Sequence, residues 1–145
     1  MRLRVRDLVN EDASLISRRC WADEQVYALE KQAVFGRSWL FLGHESQITK
    51  PGDYVQAYMC ETPIILARGD DAGIYASINS CTHRGLPVCR SDHGNTRRFV
   101  CPYHNWSYTV EGNLVTIPQE NALCGKPDKS QLGLKRVPRV EVWRG

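Results

Sequence analysis

The stretch Cys81-Thr-His83, followed after residues 84–100 by Cys101-Pro-Tyr-His104, holds two short Cys/His pairs. Each pair sits in a loop fed by a strand-like run, Ile74–Ile78 before the first and Phe99-Val100 before the second. Each offers one soft thiolate and one imidazole. A structural zinc site uses the same residue types but usually groups like with like, as C-x2-4-C followed by H-x3-5-H. A disulfide between Cys81 and Cys101 would leave His83 and His104 without a role in the same loops.

Two cysteines on one iron and two histidines on the other make the ligand set of a Rieske 2Fe–2S centre. Ligands one or two residues apart can straddle the two irons, so that each loop touches both metals. The expected ligands are Cys81, His83, Cys101 and His104.

The surrounding residues carry a resemblance. Cys81-Thr-His-Arg-Gly85, Gly94-Asn95 and Phe99-Val-Cys-Pro-Tyr-His-Asn-Trp-Ser-Tyr108 resemble the large (α) subunits of aromatic ring-hydroxylating dioxygenases. These are the Rieske non-haem iron oxygenases of the naphthalene and biphenyl dioxygenase type. Phe35-Gly-Arg-Ser-Trp-Leu-Phe-Leu-Gly-His44 and Pro51-Gly-Asp-Tyr54 resemble the family's approach to its Rieske domain. Gly112-Asn-Leu-Val115, Gly133-Leu-Lys135, Val140-Glu141 and Arg144-Gly145 resemble its exit.

Rieske proteins of respiratory and photosynthetic complexes differ. They resemble C-T-H-L-G-C and C-P-C-H-G-S, whose extra cysteines bridge over the cluster. Leu86 and Tyr103 stand at those places here, and Trp106 replaces the serine that bonds a cluster sulfur. Fewer hydrogen bonds to sulfur imply a midpoint potential near or below the about −150 mV end of the Rieske range. The oxygenase family usually reads Y-H-G-W where this chain has Tyr103-His104-Asn105-Trp106. Asn tolerates the left-handed backbone that a turn glycine signals, so the replacement is mild.

The resemblance implies electron entry from a ferredoxin or ferredoxin reductase. It implies onward transfer to a mononuclear Fe(II) in a C-terminal domain, where an aromatic substrate is cis-dihydroxylated. A small β subunit and an α3β3 or α3 assembly are implied as well. By the same resemblance Arg84, Tyr103 and Trp106 support the cluster's surroundings. Trp106 and Tyr103 would shield it from water, while Arg84 reads equally as a solvated charge. No histidine follows His104, so these residues cannot supply the second iron's two-histidine set. The chain is therefore expected to be an N-terminal fragment, ending within a strand-like Val142-Trp-Arg-Gly145. A stand-alone Rieske ferredoxin and a Rieske monooxygenase or demethylase are the alternatives.

Composition bounds the rest. A chain of 145 residues with net charge +3 suits one modest domain, and its scattered basic residues disfavour a nucleic-acid surface. No apolar run reaches the length of a membrane span. Arg2, Arg4 and Arg6 lie among the acids Asp7, Glu11 and Asp12, unlike a transit peptide, and Arg18-Arg19 is not followed by an export signal's apolar stretch. A cytoplasmic protein with reduced thiols is expected. Cys20, Cys60, Cys89 and Cys124 read as reduced, partly buried small residues, and His44 and His93 as structural or exposed.

Residues 1–37 are expected to form a helical arm, with a helix capped by Asp23 and stopped at Gly36 that presents Val26, Leu29, Ala33 and Val34 on one face. Residues 38–145 are expected to be mainly β, a small antiparallel sandwich with the two cluster-binding loops at its tip. Its strands are Trp39–Leu42, Tyr54–Met59, Ile64–Ala67, Ile74–Ile78, Phe99-Val100, and a hairpin of Trp106–Thr109 with Leu114–Ile117. Pro51-Gly-Asp53 and Gly69–Gly73 read as turns.

Overall fold

The computed structural model describes residues 3–122 and 125–145, so the expectation for Cys124 lies outside the described residues. The chain divides into two compact units, Met1–Leu40 and Phe41–Gly145. In the first, a short helix α1 (Arg19–Ala22) precedes α2 (Glu24–Ala33). Asp23 caps α2 as expected: its carboxylate accepts the Gln25 N–H at 2.9 Å and pairs with the Arg19 guanidinium at 2.7 Å. The helix stops at Ala33, earlier than Gly36, and passes into a 3-10 turn over Phe35–Arg37. Gly36 matters there because a Cβ would stand 2.8 Å from the Lys31 carbonyl oxygen. Of the expected apolar face only Val26 is buried, while Leu29 and Val34 are exposed.

The second unit is built from two antiparallel sheets. Strands β1 (Asp53–Met59), β2 (Thr62–Arg68), β3 (Ile74–Ile78) and β4 (His93–Asn95) form one sheet in the order β3-β2-β1-β4. Strands β5 (Arg98–Val100), β6 (Ser107–Thr109) and β7 (Leu114–Thr116) form the other in sequence order. The unbroken apolar run Ile64–Ala67 marks β2 as buried on both faces. Ile64 and Leu66 join Ile48, Val55 and Ala76 in one cluster. Ile65 and Ala67 join Phe99, Tyr108, Val110, Leu114, Ile117 and Leu134 in another, to which Cys81, Cys89 and Cys101 also belong.

Three expectations about strands need correction. Trp39–Leu42 and Val142–Gly145 enter no ladder, despite their apolar residues. Both edges of β1 are taken by β2 and β4, and residues near Arg136 run along β3, where the Ile78 and Val137 N–H groups bond across at 2.8 and 2.9 Å. Strand β4 was not expected, because His-Gly-Asn has little β propensity; it forms by pairing with β1.

The two Cys/His loops share one backbone pattern. In the first, the Cys81 N–H bonds the Leu86 carbonyl at 2.8 Å and the Gly85 N–H bonds the Cys81 carbonyl at 2.7 Å. In the second, Cys101 N–H to Trp106 and Asn105 N–H to Cys101 repeat it at 2.8 and 2.9 Å. The fifth residue of each loop is left-handed, Gly85 at φ +78° and Asn105 at φ +57°, as read for Asn105 from its residue type.

The first loop is anchored by buried Asn79. Its side-chain oxygen accepts the N–H groups of Val88 and Cys89 at 2.9 and 3.0 Å, and its amide donates to the Cys89 carbonyl at 2.8 Å and to Gln56 at 3.0 Å. Asn79→Ala orphans two buried N–H groups, so a loss of about 2–4 kcal/mol is expected in urea unfolding. In the second loop, Asn105→Gly should leave stability unchanged or slightly higher. Asn105→Val should cost about 1–2 kcal/mol in the same experiment, since a β-branched side chain opposes positive φ.

Candidate metal centre

The two loops set both thiols in one apolar cluster and bring the two imidazole rings together. Cys81 and Cys101 lie inside, 3% and 2% exposed, in the apolar cluster with Val88 and Phe99. His104 is half-buried and His83 exposed, and their rings stand 4.7 Å apart at 64°. Trp106 lies flat on His83, 4.9 Å between centroids and 8° between planes. Tyr103 covers His104 at 3.9 Å and 29°, and the Arg84 guanidinium sits 5.8 Å from the Tyr103 ring. Both rings are thus held by aromatic contacts. Trp106 is half-buried, whereas Tyr103 is 54% exposed and shields only one side.

The donor chemistry fits a metal group. His104 Nδ1 is buried with no hydrogen-bond partner, a state that normally costs about 1–3 kcal/mol and that a coordinate bond would relieve. Burial first, then the neighbouring His104 ring and the Arg84 charge, hold His83 below the usual imidazole value. That favours the neutral, metal-binding form. Among the described residues no three His, Cys, Asp or Glu side chains gather as a single-ion site. A 2Fe–2S cluster takes two protein ligands per iron.

Cys20, Cys60, Cys81, Cys89 and Cys101 are all free thiols. Cys20 and Cys60 are half-buried, and Cys89 is buried in the same cluster as Cys81 and Cys101. His44 is tied to its own turn, its Nδ1 accepting the Ser46 N–H at 3.2 Å, and His93 is exposed on β4. Ser77 Oγ is the other buried atom found without a partner among the described residues, and it lies 2.9 Å from where a Cβ on Gly112 would stand.

One participant was missed. Tyr108, fully buried on β6, places its hydroxyl 3.1 Å from Cys81 Sγ. Burial, then the hydrogen bond to Cys81, push this hydroxyl up to about 12, so it keeps its proton at neutral pH. Trp106 does remove the serine donor, yet Tyr108 supplies a hydroxyl to a sulfur, which undercuts the premise for a potential at the bottom of the range. The available signal was weak: Tyr108 is one residue of the second motif, and its inward alternation on β6 did not reveal its partner 27 residues earlier.

Comparison with known proteins agrees with this geometry. The Rieske [2Fe-2S] domain family matches residues 38–138. The chain is 45% identical over 138 residues to the benzene 1,2-dioxygenase subunit alpha of Pseudomonas putida, covering 95% of this chain and 30% of that protein. It is 50% identical over 138 residues to the chlorobenzene dioxygenase subunit alpha of Cupriavidus sp. strain PS12, with the same 95% and 30% coverage. A naphthalene 1,2-dioxygenase structure with indole in its active site superposes with a TM-score of 0.86 at 40% identity, over 95% of this chain and 31% of that one. A quaternary ammonium Rieske monooxygenase superposes with a TM-score of 0.73 at 28% identity, over 81% of this chain and 33% of that one. The chain spans about three tenths of the length of the curated relatives it matches. Among the described residues no helix is long and apolar enough to cross a membrane. With paired loops on a two-sheet β unit and a family match across most of its length, the chain belongs to the Rieske [2Fe-2S] domain family.

Proposed function

We propose that Cys81, His83, Cys101 and His104 hold the 2Fe–2S cluster, and that the chain is the electron-relay part of an aromatic ring-hydroxylating dioxygenase α subunit. The observation that carries the ligand assignment is the repeated loop, which sets one buried thiol and one outward imidazole on each side, with His104 Nδ1 buried and unpartnered. The identity to benzene and chlorobenzene dioxygenase α subunits supports the enzyme reading over a free-standing ferredoxin or a monooxygenase. Residues 38–145 would form the cluster domain and residues 1–37 an arm before it.

Bound there, the cluster supplies one-electron storage within a one-electron transfer chain. The residues of this chain give that store a direction. Cys81 and Cys101 lie in apolar surroundings, whereas His83 reaches solvent, so the imidazole edge is the short route to a partner. Trp106 fixes the plane of His83, and Tyr103 covers one face of His104. Electrons would arrive from NAD(P)H through a ferredoxin or its reductase. They would leave toward a mononuclear iron held outside these residues, since no histidine follows His104. The intact enzyme would act in the cytoplasm as an α3 or α3β3 assembly with a small β subunit, and its substrate would be an aromatic hydrocarbon.

His83→Ala and His104→Ala should each abolish the Rieske-type paramagnetic signal of the reduced protein while the circular dichroism of the β unit persists. Unchanged spectra in both variants would remove the ligand assignment. The chain incubated with reductase, ferredoxin, NADH, iron and naphthalene should be reduced without forming product. Dihydroxylated naphthalene in the mass spectrum would reveal a second iron site within these residues and overturn the relay reading.

A further inference from the structure

We infer that Thr82 sets how strongly Tyr108 hydrogen-bonds Cys81, and is thereby a positioning residue for the potential of the centre. The inference rests on the reading of Cys81 as a cluster ligand. It follows from counting protons in a buried network. The Thr82 hydroxyl lies 2.7 Å from the Leu132 carbonyl, which can only accept, so the one hydroxyl proton of Thr82 is committed there. The Thr82 N–H points at the Tyr108 hydroxyl oxygen at 3.3 Å and uses one of its lone pairs. Toward Thr82 Oγ1, 3.0 Å away, Tyr108 is therefore the donor.

The single Tyr108 proton then faces two acceptors, Thr82 Oγ1 at 3.0 Å and Cys81 Sγ at 3.1 Å, the latter the tighter contact for an atom of sulfur's size. A metal-bound thiolate has no proton to offer and can only accept. Tyr108 is fully buried, so no solvent replaces either acceptor. The sulfur consequently receives a shared bond, weaker than the distance alone implies. Reduction adds negative charge to the cluster and its sulfurs, so a donor to sulfur favours the reduced form and raises the potential. Thr82 holds that donor back.

The Thr82 rotor is in turn set from a distant part of the chain. Leu132 closes a 3-10 turn over Lys129–Gln131. That turn is pinned by Lys129, which pairs with Glu120 at 2.6 Å and donates to the Val115 carbonyl at 3.2 Å. The Thr82 hydroxyl is thus tied to a backbone carbonyl 50 residues later in the sequence.

The test is protein-film voltammetry on the cluster-loaded chain. Tyr108→Phe should lower the midpoint. Thr82→Val, which keeps the shape and deletes the competing acceptor, should raise it above the wild-type value, and Thr82→Ser should restore the wild-type value. In the Tyr108→Phe background Thr82→Val should move nothing, a non-additivity expected only if Thr82 acts through Tyr108. Pulsed paramagnetic resonance of the reduced state reads the same proton directly. Its exchangeable-proton coupling should strengthen in Thr82→Val and vanish in Tyr108→Phe. A Thr82→Val protein with an intact Rieske signal and an unchanged or lowered midpoint would overturn the inference. So would failure of both Thr82→Val and Thr82→Ala to take up the cluster, since the role of Thr82 would then be structural. A wild-type chain with no Rieske signal would instead sink the cluster reading itself.

Discussion

The structure depends on how Cys81 and Cys101, the proposed ligand cysteines, are each gripped by their own loop. The Cys81 and Cys101 peptides are bonded on both sides, the N–H to a carbonyl five residues on and the carbonyl to an N–H four residues on. Those bonds curl five residues into a tight cup that turns a thiol inward and an imidazole outward. Closing the cup requires positive φ at its fifth residue, which explains Gly85 and Asn105. Because the two cups follow the same rule, the four donors come in matched pairs. A two-metal cluster with different ligands on each metal suits that pairing; a single ion does not.

The polarity of the site follows from where the cups are mounted. Strands β3 and β5 lead into them, and the thiols enter the apolar cluster between the sheets beside Phe99, Val88 and Tyr108. Sulfur in such surroundings is shielded from water, and the histidine edge is left as the exposed side. Asn79 locks the segment that follows the first cup, its four hydrogen bonds standing in for a ladder where the chain cannot form one. The proteins with extra cysteines bridge their two loops covalently. Here Leu86 and Tyr103 occupy those places, and the contacts that cross between the loops include the Tyr108 hydroxyl on Cys81 and Thr82, and Trp106 stacked on His83.

Tyr108 changes how the electronic character of the centre is understood. Counting ligand-loop residues alone leaves the sulfurs short of donors, since Trp106 has no hydroxyl. The inward face of β6 returns one donor to Cys81, and Thr82 shares it. The potential is therefore governed by a buried network reaching from β6 to the segment around Leu132, beyond the two motifs themselves.

Local chemistry was legible in the sequence. The Cys/His spacing, the left-handed turn at Asn105, the Asp23 cap and the strand run Ile64–Ala67 each depend on residues within one or two turns of chain. Their outcomes follow from backbone sterics and burial alone. What depends on pairing between distant segments was not legible. Trp39–Leu42 has apolar residues but joins no ladder, His93–Asn95 becomes a strand only because β1 offers it an edge, and Leu29 stays exposed on its helix. Tyr108 meets Cys81, and Thr82 meets Leu132, across 27 and 50 residues of intervening chain. Sequence by itself determined which atoms are proposed to hold the metals, because residue type and loop curvature are local properties. Only the tertiary structure decided which hydroxyl reaches a sulfur and which imidazole reaches solvent, because those choices are set by how two sheets stack and not by any residue's neighbours in the chain.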